Sequence, residues 1–282
     1  MRRIVHLSIL CLAVGAASAC STPDQIVATE NIPTAGVRFI NAVPDTNAMD
    51  MRFVDIVESN AQYGISFRNS PVTSGGVTAS AQVEYKNARA GSRHLRIFLN
   101  STVQSVASFV LKDTTVTIAA GKLYTAVMWG TARTGGMKFS FIEENIPDPG
   151  TNVALRVMNA TSAAIDARQY VATGTAPTAA TWTAIAPLGI SAFVNSAPSQ
   201  IRFNITPAGS ATAMFADGLA LVGVAGAVDL EGLPGTTQAG SAVTAIVYPP
   251  SVVGSNAPQS AAFLLPAMSF VWDRRPPRIA GS

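Results

Sequence analysis

The block Gly36-Val-Arg-Phe-Ile-Asn-Ala-Val-Pro-Asp45 returns in weakened form as Ala154-Leu-Arg-Val-Met-Asn-Ala160. The segment behind it, Ala48-Met-Asp-Met-Arg52, returns as Ala164-Ile-Asp-Ala-Arg168. The two offsets, 118 and 116 residues, are nearly equal. A chain that repeats itself at one spacing is built from two copies of one module, and whatever the first copy folds into the second must approximate.

Both copies read as strands. Val37, Phe39 and Asn41 alternate with Arg38 and Ile40, and Met49, Met51 and Phe53 alternate with Asp50 and Arg52. Period-2 alternation is the pattern of a strand with one face buried. Leu95–Leu99, Ser108–Leu111, Thr115–Ile118 and Leu123–Trp129 are apolar and partly β-branched, and Met137, Phe139 and Phe141 close the set. No long stretch keeps a 3.6-residue period, and apolar residues at 48% with charged residues at 12% exclude a disordered chain. The expected fold is therefore all-β. It comprises two tandem antiparallel β-sandwich modules of the immunoglobulin/transthyretin-like kind, residues 36–145 and 153–273. The Pro-rich stretch 146–152 is expected to be a linker, 172–186 an irregular surface stretch and 274–282 a basic tail, with Asp273 opening the exposed end.

The first residues carry an address. Arg2-Arg3, the apolar run Ile4–Ala16 and Ala17-Ser-Ala19 have the order of a signal peptide, expected to span residues 1–19. Ala17-Ser-Ala-Cys20 resembles a bacterial lipobox, although Leu is usual where Ala17 stands. On that reading Cys20 is acylated (a palmitate-type anchor), residues 20–35 form a tether, and Ser21 rather than Asp resembles the outer-membrane sorting choice. Without acylation the chain would be secreted. The mature chain would keep Cys20 alone, which rules out an internal disulfide or a cysteine metal site. It would also carry 17 basic against 16 acidic residues, no electrostatic case for nucleic acid.

Val37-Arg-Phe-Ile-Asn-Ala-Val-Pro-Asp45, Met49-Asp-Met51 and Ala120-Gly-Lys-Leu-Tyr-Thr-Ala126 with Gly130 resemble the family known as domain of unknown function 4397. The resemblance is good over residues 36–145 and loose beyond. It implies an extracytoplasmic β module of the kind found in lipoproteins and cell-surface proteins, and it carries no activity with it.

Candidate sites are sparse. Asn41 with Asn159, and Asp50 with Asp166, recur in both copies, beside Pro44 and Asp45 at the first copy's turn. A position kept in both copies points to a role in the fold, because side chains of this kind bond backbone amides where strands end. Asp45, Asn47, Asp50, Asp55 and Glu58 supply oxygens suited to calcium but lack EF-hand spacing. Lys86, Arg89, Arg93, His94 and Arg96 read as a solvated basic hairpin, with lipid-headgroup contact as the sharper alternative. A single mature histidine, His94, supports neither a His-rich metal site nor a nucleophile elbow with its triad. Glu143-Glu144, next to a Pro-rich stretch, is expected to be exposed. Of Tyr124, Trp129, Trp182 and Trp272, at least one of the first two belongs to the core. No cofactor, metal or catalytic residue is expected. The leading function is a non-catalytic envelope lipoprotein, held to the membrane by its anchor, with a surface glycan or protein as partner. The alternative is a carboxylate-based glycan hydrolase, told apart by whether acids from different strands converge in one pocket. A transmembrane barrel is disfavoured by the terminal Arg-Ile-Ala-Gly-Ser.

Overall fold

The computed structural model describes residues 32–55, 83–228 and 230–278. The signal peptide, Cys20, the tether up to residue 31 and Glu58 lie outside the described residues. The first half holds β1 (Thr34–Ala42), β2 (Met49–Phe53), β3 (Lys86–Arg89), β4 (Gly91–Leu99), the one-turn helix α1 (Gln104–Ala107), β5 (Val110–Ile118), β6 (Leu123–Trp129) and β7 (Lys138–Glu143). The second holds β8 (Val153–Asn159), β9 (Ile165–Val171), β10 (Trp182–Ile185), β11 (Gly189–Ile190), β12 (Val194–Ser196), β13 (Ile201–Pro207), β14 (Gly218–Leu219), β15 (Ala242–Tyr248) and β16 (Ala267–Arg274). The fold is all-β, as its sequence indicates. No helix among the described residues is long and apolar enough to cross a membrane.

Four sheets result, ordered β3-β1-β6-β7, β2-β4-β5, β11-β8-β15-β16 (with β12 also on β8) and β10-β9-β13-β14. The antiparallel expectation needs correction at one ladder in each half. β1 runs parallel to β6, Gly36 opposite Leu123 and Ala42 opposite Trp129, and β8 runs parallel to β15. A hairpin forces neighbouring strands to reverse, but these partners are joined by the whole of the intervening half, which is long enough for a parallel crossover.

Three apolar clusters fix how the sheets stack. Val37 and Phe39 of β1 with Tyr124, Ala126 and Met128 of β6 meet Met49, Met51, Leu95, Ile97 and Ile118 from the β2-β4-β5 sheet. Leu155, Val157, Val243 and Val247 meet Ile165, Trp182, Phe203 and Ile205 in the same way. The third cluster joins the halves: Ile40, Ala42, Val127 and Trp129 pack on Met158, Ala160, Ile246 and Tyr248. The β1 and β8 sheets are thus covered on both faces. Strands buried on both faces read as continuous apolar runs, which is why Leu123–Trp129 lacks polar alternation. Truncating a large side chain in such a core costs about 2–5 kcal/mol.

Smaller corrections follow from the same packing. β1 starts at Thr34, inside the expected tether, because Thr34 pairs with Arg89. Residues 110–118 form one strand rather than two segments. The stretch expected to be irregular, 172–186, ends in β10, whose Trp182 and Ile185 are buried. The residues from Pro33 onward form one compact unit. The expected linker is tied down within it by Asn152, whose amide bonds Pro149 and whose carbonyl accepts from Gly240.

Candidate functional site

Arg38 sits on β1 between Val37 and Phe39, so it shares the opposite face with Ile40 and Ala42, the face that meets the other half. Opposite it in the ladder stands Thr125. Arg156 on β8 has the same setting, opposite Thr244 on β15. On the outer neighbours, Thr125 pairs with Ile142 and Thr244 with Val271. Two residues further along the same faces come Glu144 and Asp273. Each half therefore brings an arginine, a threonine and an acid to the shared interface at equivalent positions.

The six side chains interlock. Arg38 Nε donates to Thr125 Oγ1 at 2.9 Å, and its Nη2 reaches Asp273 Oδ1 at 2.6 Å and Glu144 Oε1 at 3.3 Å. Arg156 Nε donates to Thr244 Oγ1 at 2.7 Å, and its Nη2 reaches Glu144 Oε2 at 2.8 Å and Asp273 Oδ1 at 3.2 Å. Thr125 donates to Glu144 Oε1 and Thr244 to Asp273 Oδ2. The carboxylates are 1% and 0% exposed. Two cations and two anions balance; Glu144 Oε1 and both Asp273 oxygens accept hydrogen bonds, and Glu144 Oε2 is ion-paired with Arg156. Burial pulls the Arg38 pKa down, but Asp273, Tyr85 and Glu144 outweigh it and hold the guanidinium charge more firmly than usual. The rings of Tyr85 and Phe193 cap Arg38 and Arg156 at 4.5 and 4.4 Å.

Acids from two strands thus converge, each paired with both arginines. A general acid or base must hold or accept a proton at a free oxygen facing substrate; here Arg and Thr donors bind three of the four oxygens, and the fourth, Glu144 Oε2, is ion-paired with Arg156. Glu144 corrects the expectation of exposure: the outward residue of the Glu143-Glu144 pair is Glu143, bound to Lys122 at 3.0 Å, while Glu144 points inward. Asp273 corrects the exposed tail in the same manner, since β16 carries it into the interface.

The repeated asparagines serve turns. Asn41 Oδ1 accepts from the Val43 amide at 3.1 Å, and its Nδ2 donates to the Asn47 carbonyl. Asn159 Oδ1 accepts from the Thr161 amide and hydroxyl, and its Nδ2 donates to the carbonyls of Ala163, Ile185 and Ala186. Asp45 accepts the Ala132 and Arg133 amides at 2.9 and 2.8 Å, stapling its turn to the loop after β6. That loop opens at Gly130, where φ is +78° and a Cβ would meet the Gly136 carbonyl oxygen at 2.2 Å. The Pro44 carbonyl accepts the Val252 amide from the other half. Asp166 accepts the Ala184 and Gly209 amides, whereas Asp50 bonds the Arg52 guanidinium. The expected parallel between Asp50 and Asp166 is one of position and not of partner. Among the described residues no group of three or more potential ligands gathers for a metal.

The basic run divides. Arg93 is buried, pairing with Asp55 at 2.9 Å and stacking on Phe53 at 4.5 Å, so the hairpin is not wholly solvated. His94 and Arg96 share Asp113 at the surface. Tyr124 and Trp129 are both buried, in different clusters, and Trp182 stacks on Phe203 at 5.9 Å. Trp272 is half-buried beneath Arg275.

Residues 35–168 match the model of a family described as a domain of unknown function. That family is DUF4397, and the match takes in just under half of the chain. The DUF4397 stretch runs from β1 through most of β9, so it holds Arg38, Thr125, Glu144 and Arg156 but neither Thr244 nor Asp273. No curated protein matches the chain. Among solved structures, the TIE protein of Bacillus anthracis is similar over 77% of this chain at 12% identity, with a TM-score of 0.21. The chain spans about a third of that protein, 33% of its length. A Bacteroides fragilis protein described as a candidate for cell adhesion is similar over 89% of this chain and 99% of its own, at 12% identity and a TM-score of 0.19.

Reading the sequence for chemistry missed the interlocked arginines, although both lie inside the repeated blocks. The available signal was an arginine flanked by apolar residues on a strand, kept in both copies. Glu144 and Asp273 gave none, because their equivalence rests on ladder register.

Proposed function

We propose that this protein is a non-catalytic cell-envelope lipoprotein. Two β-sandwich modules of immunoglobulin/transthyretin-like form, 36–145 and 153–273, are joined at 146–152 and serve binding or a structural role at the cell surface. The observation that carries this reading is the saturation of Glu144 and Asp273. The acids that converge are consumed in holding the two halves together, which leaves the outer faces as the surfaces offered to partners. The Ala-Ser-Ala-Cys junction supplies the anchor, and a rigid pair of modules on a tether suits presentation away from a membrane.

Fractionation of cells producing the full chain, with metabolic labelling by a palmitate analogue, tests the proposal. The expected result is label in the membrane fraction, lost in Cys20→Ser, with no release of sugar from a panel of labelled polysaccharides. A soluble unlabelled chain overturns the anchor. Hydrolysis that survives in the purified chain and disappears in Glu144→Gln overturns the non-catalytic reading.

A further inference from the structure

The interface between the halves is nearly two-fold, and its two ends differ. At the Arg38 end, Nη1 donates to the Trp272 carbonyl at 2.9 Å. Arg275 bonds Glu84 and lies over the Trp272 ring, leaving a cavity of only about 120 Å³. At the Arg156 end, the chain turns away after Asn145 into the Pro147 stretch, and a cleft of about 670 Å³ opens. The Arg156 side chain is 7% exposed and lines this cleft. Its Nε and Nη2 are bound within the interface, but its Nη1 makes no hydrogen bond among the described residues, and none reaches the Glu143 carbonyl that corresponds to Trp272. That N–H therefore faces the cleft with no protein acceptor and is open to an oxygen of a bound ligand.

The chemistry of the walls narrows the ligand. Clefts that enclose small ligands measure roughly 300–1,000 Å³ and combine apolar walls with a few polar groups. Here Ile142, Ile190 and Phe193 give the apolar surface, and Asn145 and Asn195 give exposed amides that both donate and accept. The charge is unsuited to an anion, because the Arg156 charge is balanced inside the interface and Glu143 stands at the rim. An extended peptide is also disfavoured. The sheet edge here consists of β11 and β12, two and three residues long and separated by Ser191-Ala192-Phe193, too broken for strand addition. Neutral hydroxyls on a ring with apolar C–H faces fit both the donor and the walls.

We infer that this cleft binds a neutral oligosaccharide, with Arg156 Nη1 as the donor on its floor. The inference rests on the surface-binding reading above and names its ligand class.

The test uses the purified full chain with maltotriose, cellotriose, chitotriose and xylotriose at millimolar concentration, followed by saturation-transfer NMR and calorimetry. Trigalacturonate and a neutral octapeptide are the controls. The expected result is binding of at least one neutral trisaccharide that shifts the Arg156 side-chain resonance. Ala192→Trp, which fills the cleft without touching the interlocked residues, abolishes it, and Asn195→Ala weakens it about tenfold. Both variants keep the parent melting temperature. Absence of any neutral trisaccharide binding, binding unaffected by Ala192→Trp, or preference for trigalacturonate or the peptide overturns the inference. The membrane fractionation is independent of these outcomes, so the anchor can stand while the saccharide site fails.

Discussion

Arg38 and Arg156 donate to the same oxygen, Asp273 Oδ1, at 2.6 and 3.2 Å, although they lie on the first strands of different halves. One carboxylate from the second half therefore anchors both guanidiniums. Coulomb attraction at such separations is strong where water is excluded, but desolvating four charges opposes it, and the balance depends on every member being present.

Removing a single member should therefore be far worse than removing a pair. Asp273→Ala is expected to cost about 3–5 kcal/mol, because it leaves two buried cations with Glu144 as their one carboxylate. Thr244→Val should cost about 1–3 kcal/mol through lost hydrogen bonds. The double variant Arg38→Met/Asp273→Leu should be more stable than Asp273→Ala alone. Urea melts of the four chains check the order.

The shared cluster of Ile40, Trp129, Met158 and Tyr248 couples the halves as well. Unfolding of the parent should be a single transition, with circular dichroism and tryptophan fluorescence coinciding. In Asp273→Ala the two signals should separate. Coincidence in both chains would show that the apolar contact alone sets the coupling.

Much of this was open to reading from the residues. Alternation placed β2 and a continuous apolar run placed β6 to the residue, because both signals are local, and the repeat announced two related halves. Burial of charge was not legible. Glu144, Arg93 and Asp273 look like surface residues until partners far away in the chain are placed, and the parallel β1–β6 ladder depends on a crossover that no local pattern encodes. Asn41 and Asn159 stood out because turn chemistry acts over a few residues; the arginines were hidden among apolar neighbours in the very same blocks.

Asn159 offers a sharper test of turn chemistry than truncation alone. Asn159→Ala leaves the Ala163, Ile185 and Ala186 carbonyls and the Thr161 amide short of partners, and should cost about 2–3 kcal/mol. Asn159→Asp should also destabilise, since a carboxylate accepts but cannot donate to three carbonyls. Thermal melts at neutral pH distinguish this from a role of the acceptor oxygen alone, which Asp would preserve.

The Ala184 and Gly209 amides hold the Asp166 carboxyl below its ordinary range, against the opposing effect of burial. At Asp55 burial works upward, and the Arg93 bonds outweigh it. A depressed folded pKa contributes stability that is complete above the unfolded value, about 3.9 for Asp, and is lost as pH falls through the folded value. Urea midpoints should stay level from about pH 7 to 5 and then decline toward pH 2. Asp166→Asn should make that decline shallower; an unchanged slope would remove Asp166 from the account.

Asp273 follows Arg38 by 235 residues. A chain emerging from the ribosome thus presents both arginines long before Asp273 exists, and until β16 arrives Glu144 alone faces two guanidiniums where an apolar contact should form. Early docking would bury one excess positive charge. Order of appearance along the nascent polypeptide makes the last strand a latch: a message cut short before codon 273 yields an assembly that stays open, with its central apolar surfaces in view of any protease.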